Sequence, residues 1–234
     1  MSDIVKVNWS GGKDSTAAAL LHLERGHDVS MVCYVPMFDD EIPLITKRHF
    51  EFILDAKARF EAMGALVLLV HGLTYCGYVL HVSQKGKFKG QIFGFPWYGR
   101  GQCGFKRDSK LKALAFADSV IGSYDYEDVG IAYDEPERFG VLSPSKRSIL
   151  VENKYTEPDC VLLTISRNLY SPHYQDNRRD GCVLCCNSSP EERASWLADY
   201  PQAKDRLLFL ERVVKEERPD RPPLRNYKYF SDFF

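Results

Sequence analysis

Two clusters in this 234-residue chain have the residue types and spacing for chemistry. The first is Ser10-Gly11-Gly12-Lys13-Asp14-Ser15. Two glycines let a backbone approach a phosphate closely, Lys13 supplies positive charge, and Ser10 and Ser15 supply hydroxyl donors. Asp14 would orient the loop or a Mg²⁺ ion set against the phosphates. The string is not the Gly-x-x-x-x-Gly-Lys-Ser/Thr loop that moves a terminal phosphoryl group, and the plainer alternative is a Gly-rich turn before a capped helix. The second cluster is Cys182-Val183-Leu184-Cys185-Cys186. The spacing of Cys182 and Cys185 lets two thiolates reach one metal, and Cys186 offers a further donor. Here the plainer alternative is a set of buried free cysteines.

An anion cradle needs backbone N–H groups aimed at the ligand, which a helix start after a strand provides. The sequence places the first cluster that way. Asp3 to Trp9 reads as an apolar strand, and Ser15 to Arg25 as a helix closed by Gly26. Val29 to Val35 reads as a second strand, Ile45 to Met63 as an amphipathic helix ending at Gly64, and Ala65 to Val70 as a third strand. Such alternation implies parallel pairing with right-handed crossovers, hence an α/β fold with a doubly wound, mostly parallel sheet. Lys106 to Ala117 reads as a helix, and Asp118 to Ile121 and Asp128 to Tyr133 as strands. Pro190 to Ala198, opened by Ser189-Pro190-Glu191-Glu192, and Ala203 to Glu217 read as helices, and Arg218 to Phe234 as a docked aromatic tail. The expected organisation is an α/β nucleotide-binding part over 1–150, interrupted by a long loop or small subdomain at 72–104, followed by a helical, cysteine-containing closing region over 151–234 in the same compact unit.

Composition narrows the classes. At 44% hydrophobic and 13% aromatic the chain can bury a core without staples, which excludes disorder as a description of the whole. The longest apolar run, Ala65 to Val70, is far short of the roughly 20 residues that span a bilayer, and the first residues lack a signal peptide's apolar region. A cytoplasmic protein with no membrane partner is the expectation. Cys33, Cys76 and Cys160 lie singly in apolar surroundings and read as core.

With 31 basic against 32 acidic residues, a general nucleic-acid coat is disfavoured. Charge is concentrated locally, however. Between Lys85 and Lys112, Lys85, Lys87, Lys89, Arg100, Lys106, Arg107, Lys110 and Lys112 stand against Asp108 alone, eight minus one, a local charge of +7. Phe88, Phe93, Phe95, Trp97 and Tyr98 are interleaved with them, a combination suited to bases and phosphates, although a charge run is more often a solvated face. Asp39, Asp40 and Glu41 follow the second strand, where open α/β sheets bind ligands; they are either Mg²⁺ ligands or a solvated acidic loop.

The string Ser10 to Ser15 resembles the PP-loop, Ser-Gly-Gly-x-Asp-Ser, of the adenine-nucleotide α-hydrolase superfamily. Further segments resemble its phosphoadenosine phosphosulfate (PAPS) reductase branch, which includes short phage and bacterial relatives and DNA-phosphorothioation sulfurtransferases. They are Cys103 to Leu114, with Lys110 in the basic helix start; Gly130 to Arg138, with Ala132 where that branch commonly has Arg and with Glu135 and Arg138 retained; and the stretch holding Leu150-Val151-Glu152, Thr156-Glu157, Ser171-Pro172-His173-Tyr174 and Arg178 to Cys185. The resemblance runs from residue 4 to about 212. It implies a Rossmann-like fold of the PP-loop type and a site in which Ser10, Gly11, Gly12, Lys13, Ser15, Lys110 and Arg138 hold ATP, with PAPS or adenosine phosphosulfate (APS) as the alternative nucleotide.

The implied activity is cleavage of ATP between the α and β phosphates with Mg²⁺, to adenylate a substrate, with sulfur transfer to a nucleobase or nucleic acid as one outlet. Lys13, Asp14 and Ser15 would be the catalytic residues. Cys103 occupies the family position brought near Cys182 and Cys185, so these three would hold a [4Fe-4S] cluster with one iron open or, with Cys186 as a fourth ligand, structural zinc. No cysteine follows Cys186, whereas PAPS reductases carry a nucleophilic cysteine near the C-terminus, so reduction by that route is disfavoured. Sulfonucleotide chemistry without that nucleophile, and a non-catalytic nucleotide-binding protein with structural zinc, remain as alternatives. The pattern permits a homo-oligomer.

Overall fold

A computed structural model describes residues 2–99, 102–176, 181–185, 188–221 and 230. The chain opens with β1 (Ile4–Trp9), α1 (Lys13–Glu24), β2 (Asp28–Tyr34), α2 (Lys47–Ala62) and β3 (Leu66–Val70). Then come α3 (Tyr75–Val79), β4 (Tyr98–Gly99), β5 (Gln102–Cys103), α4 (Gly104–Ile121), β6 (Tyr126–Val129), α5 (Pro136–Phe139) and β7 (Lys146–Arg147). The last elements are α6 (Ile149–Glu152), α7 (Glu157–Ser166), α8 (Pro190–Asp199) and α9 (Ala203–Glu217).

The described residues form two compact units, and the chain passes between them several times. The first holds residues 1–34, 48–70 and 114–180, and the second 35–47, 71–113 and 181–234. Residue 150 lies inside the first unit, and the loop region 72–104 inside the second.

The first unit carries a five-stranded sheet in the order β3-β2-β1-β6-β7, every neighbouring pair parallel. The fold is therefore α/β, a Rossmann-like doubly wound sheet flanked by helices. Val5, Val7 and Trp9 of β1 and Val29, Met31, Val32 and Cys33 of β2 are buried, as expected of strands covered on both faces. Helix α1 is buried over most of its surface from Ser15 to His22, and the small Ala17 and Ala18 let it pack against Ile149, Leu150 and Cys160.

Two sequence expectations are corrected. Asp118 to Ile121 is not a strand but the last turn of α4, where the Gly122 N–H donates to the Asp118 carbonyl at 3.0 Å. The Ala-rich run before it propagates the helix, and the helix-propensity penalty of Val120 and Ile121, on the order of a few tenths of a kcal/mol each, is too small to stop it. The strand placed at Asp128 to Tyr133 runs instead over Tyr126–Val129, because the Ile131 N–H bonds back to the Val129 carbonyl at 2.7 Å and ends the pairing.

Glu127 on β6 ties three strands together. Lys146 of β7 donates to it at 2.8 Å, the Asn8 amide of β1 donates to the same carboxylate, and Lys6 lies 3.7 Å away. Burial opposes ionisation of Glu127, but these partners outweigh it and hold its pKa below the ordinary value. The unfolded chain therefore binds this proton more readily than the folded one, so the contribution is full above the ordinary glutamate range and is lost as pH falls through the folded value. Acid titration of stability should show a shallower loss in Glu127→Gln than in the parent chain, and parallel curves would refute the assignment.

The second unit has its own core around Phe38, Tyr75, Phe95, Phe105, Trp196 and Phe230. The Trp196 indole donates to the Pro43 carbonyl at 2.8 Å, so the ring's one polar group is satisfied inside the core. Helix α8 starts with a capping box, Ser189 accepting from Glu192 N–H and Glu192 accepting from Ser189 N–H. Phe230 is buried here, while the rest of the aromatic tail lies outside the described residues. Among the described residues no helix is long and apolar enough to cross a membrane.

Candidate anion site and cysteine turn

The sheet order reverses direction at β1. The chain runs outward from β1 through β2 to β3 and returns to β6 on the other side, which makes the crevice beyond the carboxyl ends of β1 and β6 the topological switch point. Ser10 to Gly12 occupies that edge and leads into α1. Ser15 Oγ donates to the Gly12 carbonyl at 3.1 Å and accepts the Ser10 N–H at 3.2 Å, while Ser10 Oγ accepts the Gly12 N–H at 3.3 Å. The two hydroxyls thus brace the loop from inside.

Two glycines make this geometry possible. Gly11 has φ +77°, and a Cβ there would stand 2.9 Å from Cε1 of the buried His49. At Gly130, just past β6, a Cβ would stand 2.4 Å from the Ser15 nitrogen. The end of β6 therefore presses directly on the backbone of the first turn of α1.

Lys13 reaches back across that turn. Its Nζ lies 2.9 Å from Asp14 Oδ2 and 3.4 Å from Glu157 Oε2, and 6.0 Å from the centre of the Tyr174 ring. Burial opposes its charge, yet the Asp14 hydrogen bond and the Asp14 and Glu157 carboxylates hold its pKa above normal. Asp14 is shifted upward, first by burial and then by Glu157 and Glu135, against the pull of Lys13. One oxygen from each of Asp14, Glu135 and Glu157 lies within 4.8 Å of the others, and Arg138 clamps Glu135 through both oxygens at 2.6 Å. Cys160, fully buried beside Asp14, has its thiol pushed up to about 12 by burial and by that carboxylate. It and Cys33 belong to the buried core.

Of the residues expected to hold nucleotide, Ser10, Gly11, Gly12, Lys13, Ser15 and Arg138 fall in the first unit, together with Asp14. Lys110 is exposed on α4 in the second unit. Residue type and spacing give no role to Glu157, His49 or Tyr174, although Thr156-Glu157-Pro158-Asp159 is a legible helix start and forms the capping box of α7. Asp39 is occupied otherwise: its Oδ1 accepts from the Glu41 and Ile42 N–H groups at 2.9 Å, and Arg206 pairs with Oδ2. It closes its own turn in the second unit.

Cys103, Cys182 and Cys185 all lie in the second unit. Cys103 stands directly before α4, and the Phe105 and Lys106 N–H groups donate to its sulfur. The Leu184 N–H donates to Cys182, and a Cys185 N–H to Cys182 carbonyl bond of 3.0 Å closes the turn. Burial drives the Cys103 and Cys182 pKa values up, while these backbone donors act in the opposite direction. Cys186 lies outside the described residues.

The basic aromatic segment divides in two. Phe95 is core and Phe93 packs against it, whereas Phe88 and Trp97 are each 37% exposed. Arg107 lies over Trp97 at 5.5 Å, and Lys87 and Arg218 over Phe88 at 5.7 and 4.5 Å. Arg100 and the Tyr98 side chain fall outside the described residues.

No protein-family model and no curated protein matches this chain.

Proposed function

We propose that this chain is a PP-loop adenine-nucleotide enzyme that cleaves ATP between the α and β phosphates to adenylate an acceptor. The observation that carries the reading is the Ser10–Ser15 loop at the switch point of a parallel sheet, with Lys13 and three carboxylates converging beside it. In this reading the Gly11 and Gly12 backbone and the Ser10 and Ser15 hydroxyls take phosphate oxygens at the positive end of α1. An acceptor oxygen attacks the α phosphorus, the bond to the bridging oxygen breaks, and pyrophosphate leaves with the electron pair. Lys13 offsets the charge that develops on the leaving oxygens.

The donor set of Asp14, Glu135 and Glu157 fits Mg²⁺, a hard cation that favours carboxylate and phosphate oxygens, and Mg²⁺ there would neutralise phosphate charge. Those carboxylates would then exert less hold on Lys13, leaving its ammonium for the nucleotide. Thiolates beside backbone N–H donors likewise fit an iron–sulfur cluster, and Cys103, Cys182 and Cys185 would hold a [4Fe-4S] cluster, which would supply sulfur for transfer. That sulfur would go to a nucleobase or nucleic acid, which the exposed Trp97–Arg107 and Phe88–Lys87 pairs suit. The protein would act without a membrane partner, in the cytoplasm.

Mg²⁺-dependent release of pyrophosphate and AMP from ATP tests the first part; binding of PAPS or APS without ATP binding would favour the sulfonucleotide alternative. For the second part, anaerobically purified protein is expected to absorb broadly near ~400 nm and to contain iron, with both properties lost in Cys182→Ser and in Cys185→Ser. A colourless protein containing zinc would refute the cluster while leaving adenylation standing.

A further inference from the structure

The first helical N–H of α1, that of Lys13, already has a partner: it donates to the phenolic oxygen of Tyr174 at 3.0 Å. This donor is one of those a bound phosphate would use. Helix α1 has no side-chain cap of its own, because its N-cap residue is Gly12. The phenol fills the capping role from 161 residues away in sequence.

Local packing delivers it there. The Tyr170 ring stacks on Tyr174 with centroids 5.2 Å apart, and the Lys13 ammonium stands 6.0 Å from the Tyr174 centroid. Three residues earlier, Ser171 Oγ accepts the His173 N–H at 3.4 Å and lies 3.2 Å from His49 Nδ1. His49 is the side chain that a Cβ on Gly11 would strike. The segment 171–174 therefore meets the loop twice, under Gly11 through His49 and at Lys13 through the phenol.

We infer that Tyr174 is a displaceable cap, a positioning residue that holds the Lys13 N–H until phosphate takes it. This rests on the loop being an anion cradle, as proposed above. A phenol is a neutral acceptor, and a phosphate oxygen is a charged one whose hydrogen bonds are roughly twice as strong, so the exchange runs toward the anion. The capped state keeps the helix start satisfied in the empty protein, and its loss is subtracted from anion affinity.

Pyrophosphate titrations of the full chain and of Tyr174→Phe, by calorimetry and by amide NMR, test this. Phenylalanine keeps the ring and removes only the acceptor. Tyr174→Phe is expected to bind pyrophosphate about three- to ten-fold more tightly, the value of one neutral hydrogen bond. Its Lys13 amide resonance should differ from the parent's in the free proteins and coincide with it at saturation. Equal or weaker binding, or Lys13 resonances that still differ at saturation, overturns the role of Tyr174 alone. Failure of both proteins to bind pyrophosphate overturns the cradle reading with it. Should the variant not fold, the parent decides: its Tyr174 ring resonances must move on saturation, and resonances that stay in place overturn the inference.

Discussion

Lys13→Ala is expected to reduce ATP-to-pyrophosphate turnover by about 10²–10³-fold, the usual cost of removing one preorganised group that stabilises transition-state charge. The side chain is only 14% exposed, so its ammonium acts in a partly dehydrated site where charge interactions are stronger than in water. It is also the cation that faces Asp14 and Glu157. Removing it leaves carboxylates crowded together, and part of any loss could then be structural. Lys13→Arg separates the two effects: it keeps the charge and much of the melting temperature, but places a planar fork where the loop accommodates a point charge, and turnover stays well below the parent. Initial rates with thermal melts of all three proteins give the comparison. Turnover that survives Lys13→Ala sinks the proposed function.

The loop was readable because its chemistry is local. A strand, two glycines and a helix start lie within 24 residues, so spacing alone places the N–H groups. The sheet was readable for the same reason: apolar runs of strand length alternate with helices, and the two crossovers of the β3-β2-β1 half follow in order. What escaped was long-range. Glu157 and Tyr174 reach the loop from 144 and 161 positions beyond Lys13, and nothing in a linear pattern marks a carboxylate or a phenol as belonging to it. The aromatic residues after Gly72 divide in a way that spacing does not show. Their alternation with Lys and Arg is uniform, but Phe95 is in the core of the second unit and Phe93 packs against it, while among the described side chains of the segment Phe88 and Trp97 stay half open. Asp39, which its place after β2 makes either a Mg²⁺ ligand or part of a solvated acidic loop, is buried and bonded to the Glu41 and Ile42 N–H groups and to Arg206, which makes it a closer of its own turn.

Gly130→Ala is expected to lower the melting temperature by about 2–12 °C, from roughly 1–3 kcal/mol of overpacking at about 2–4 °C per kcal/mol for a chain of this size. The added methyl would meet the Ser15 nitrogen at 2.4 Å, the Ser15 Cα at 2.5 Å and the Asp14 carbonyl carbon at 2.7 Å. All three atoms are backbone in the first turn of α1, so no side chain can swing aside. Either α1 or the end of β6 must shift, and the anion-facing N–H groups shift with α1, so pyrophosphate affinity falls in the same variant. Gly11→Ala offers the contrast. There the obstruction is the His49 ring at 2.9 Å, added to a left-handed φ of +77° that costs a non-glycine residue about 1–2 kcal/mol. Combining Gly11→Ala with His49→Ala should therefore recover part of the stability lost by Gly11→Ala alone, leaving the backbone strain. No single side-chain truncation should recover Gly130→Ala. If Gly130→Ala melts with the parent and binds pyrophosphate equally well, the close seating of β6 against the loop is wrong, and with it the physical basis for a rigid cradle at the switch point.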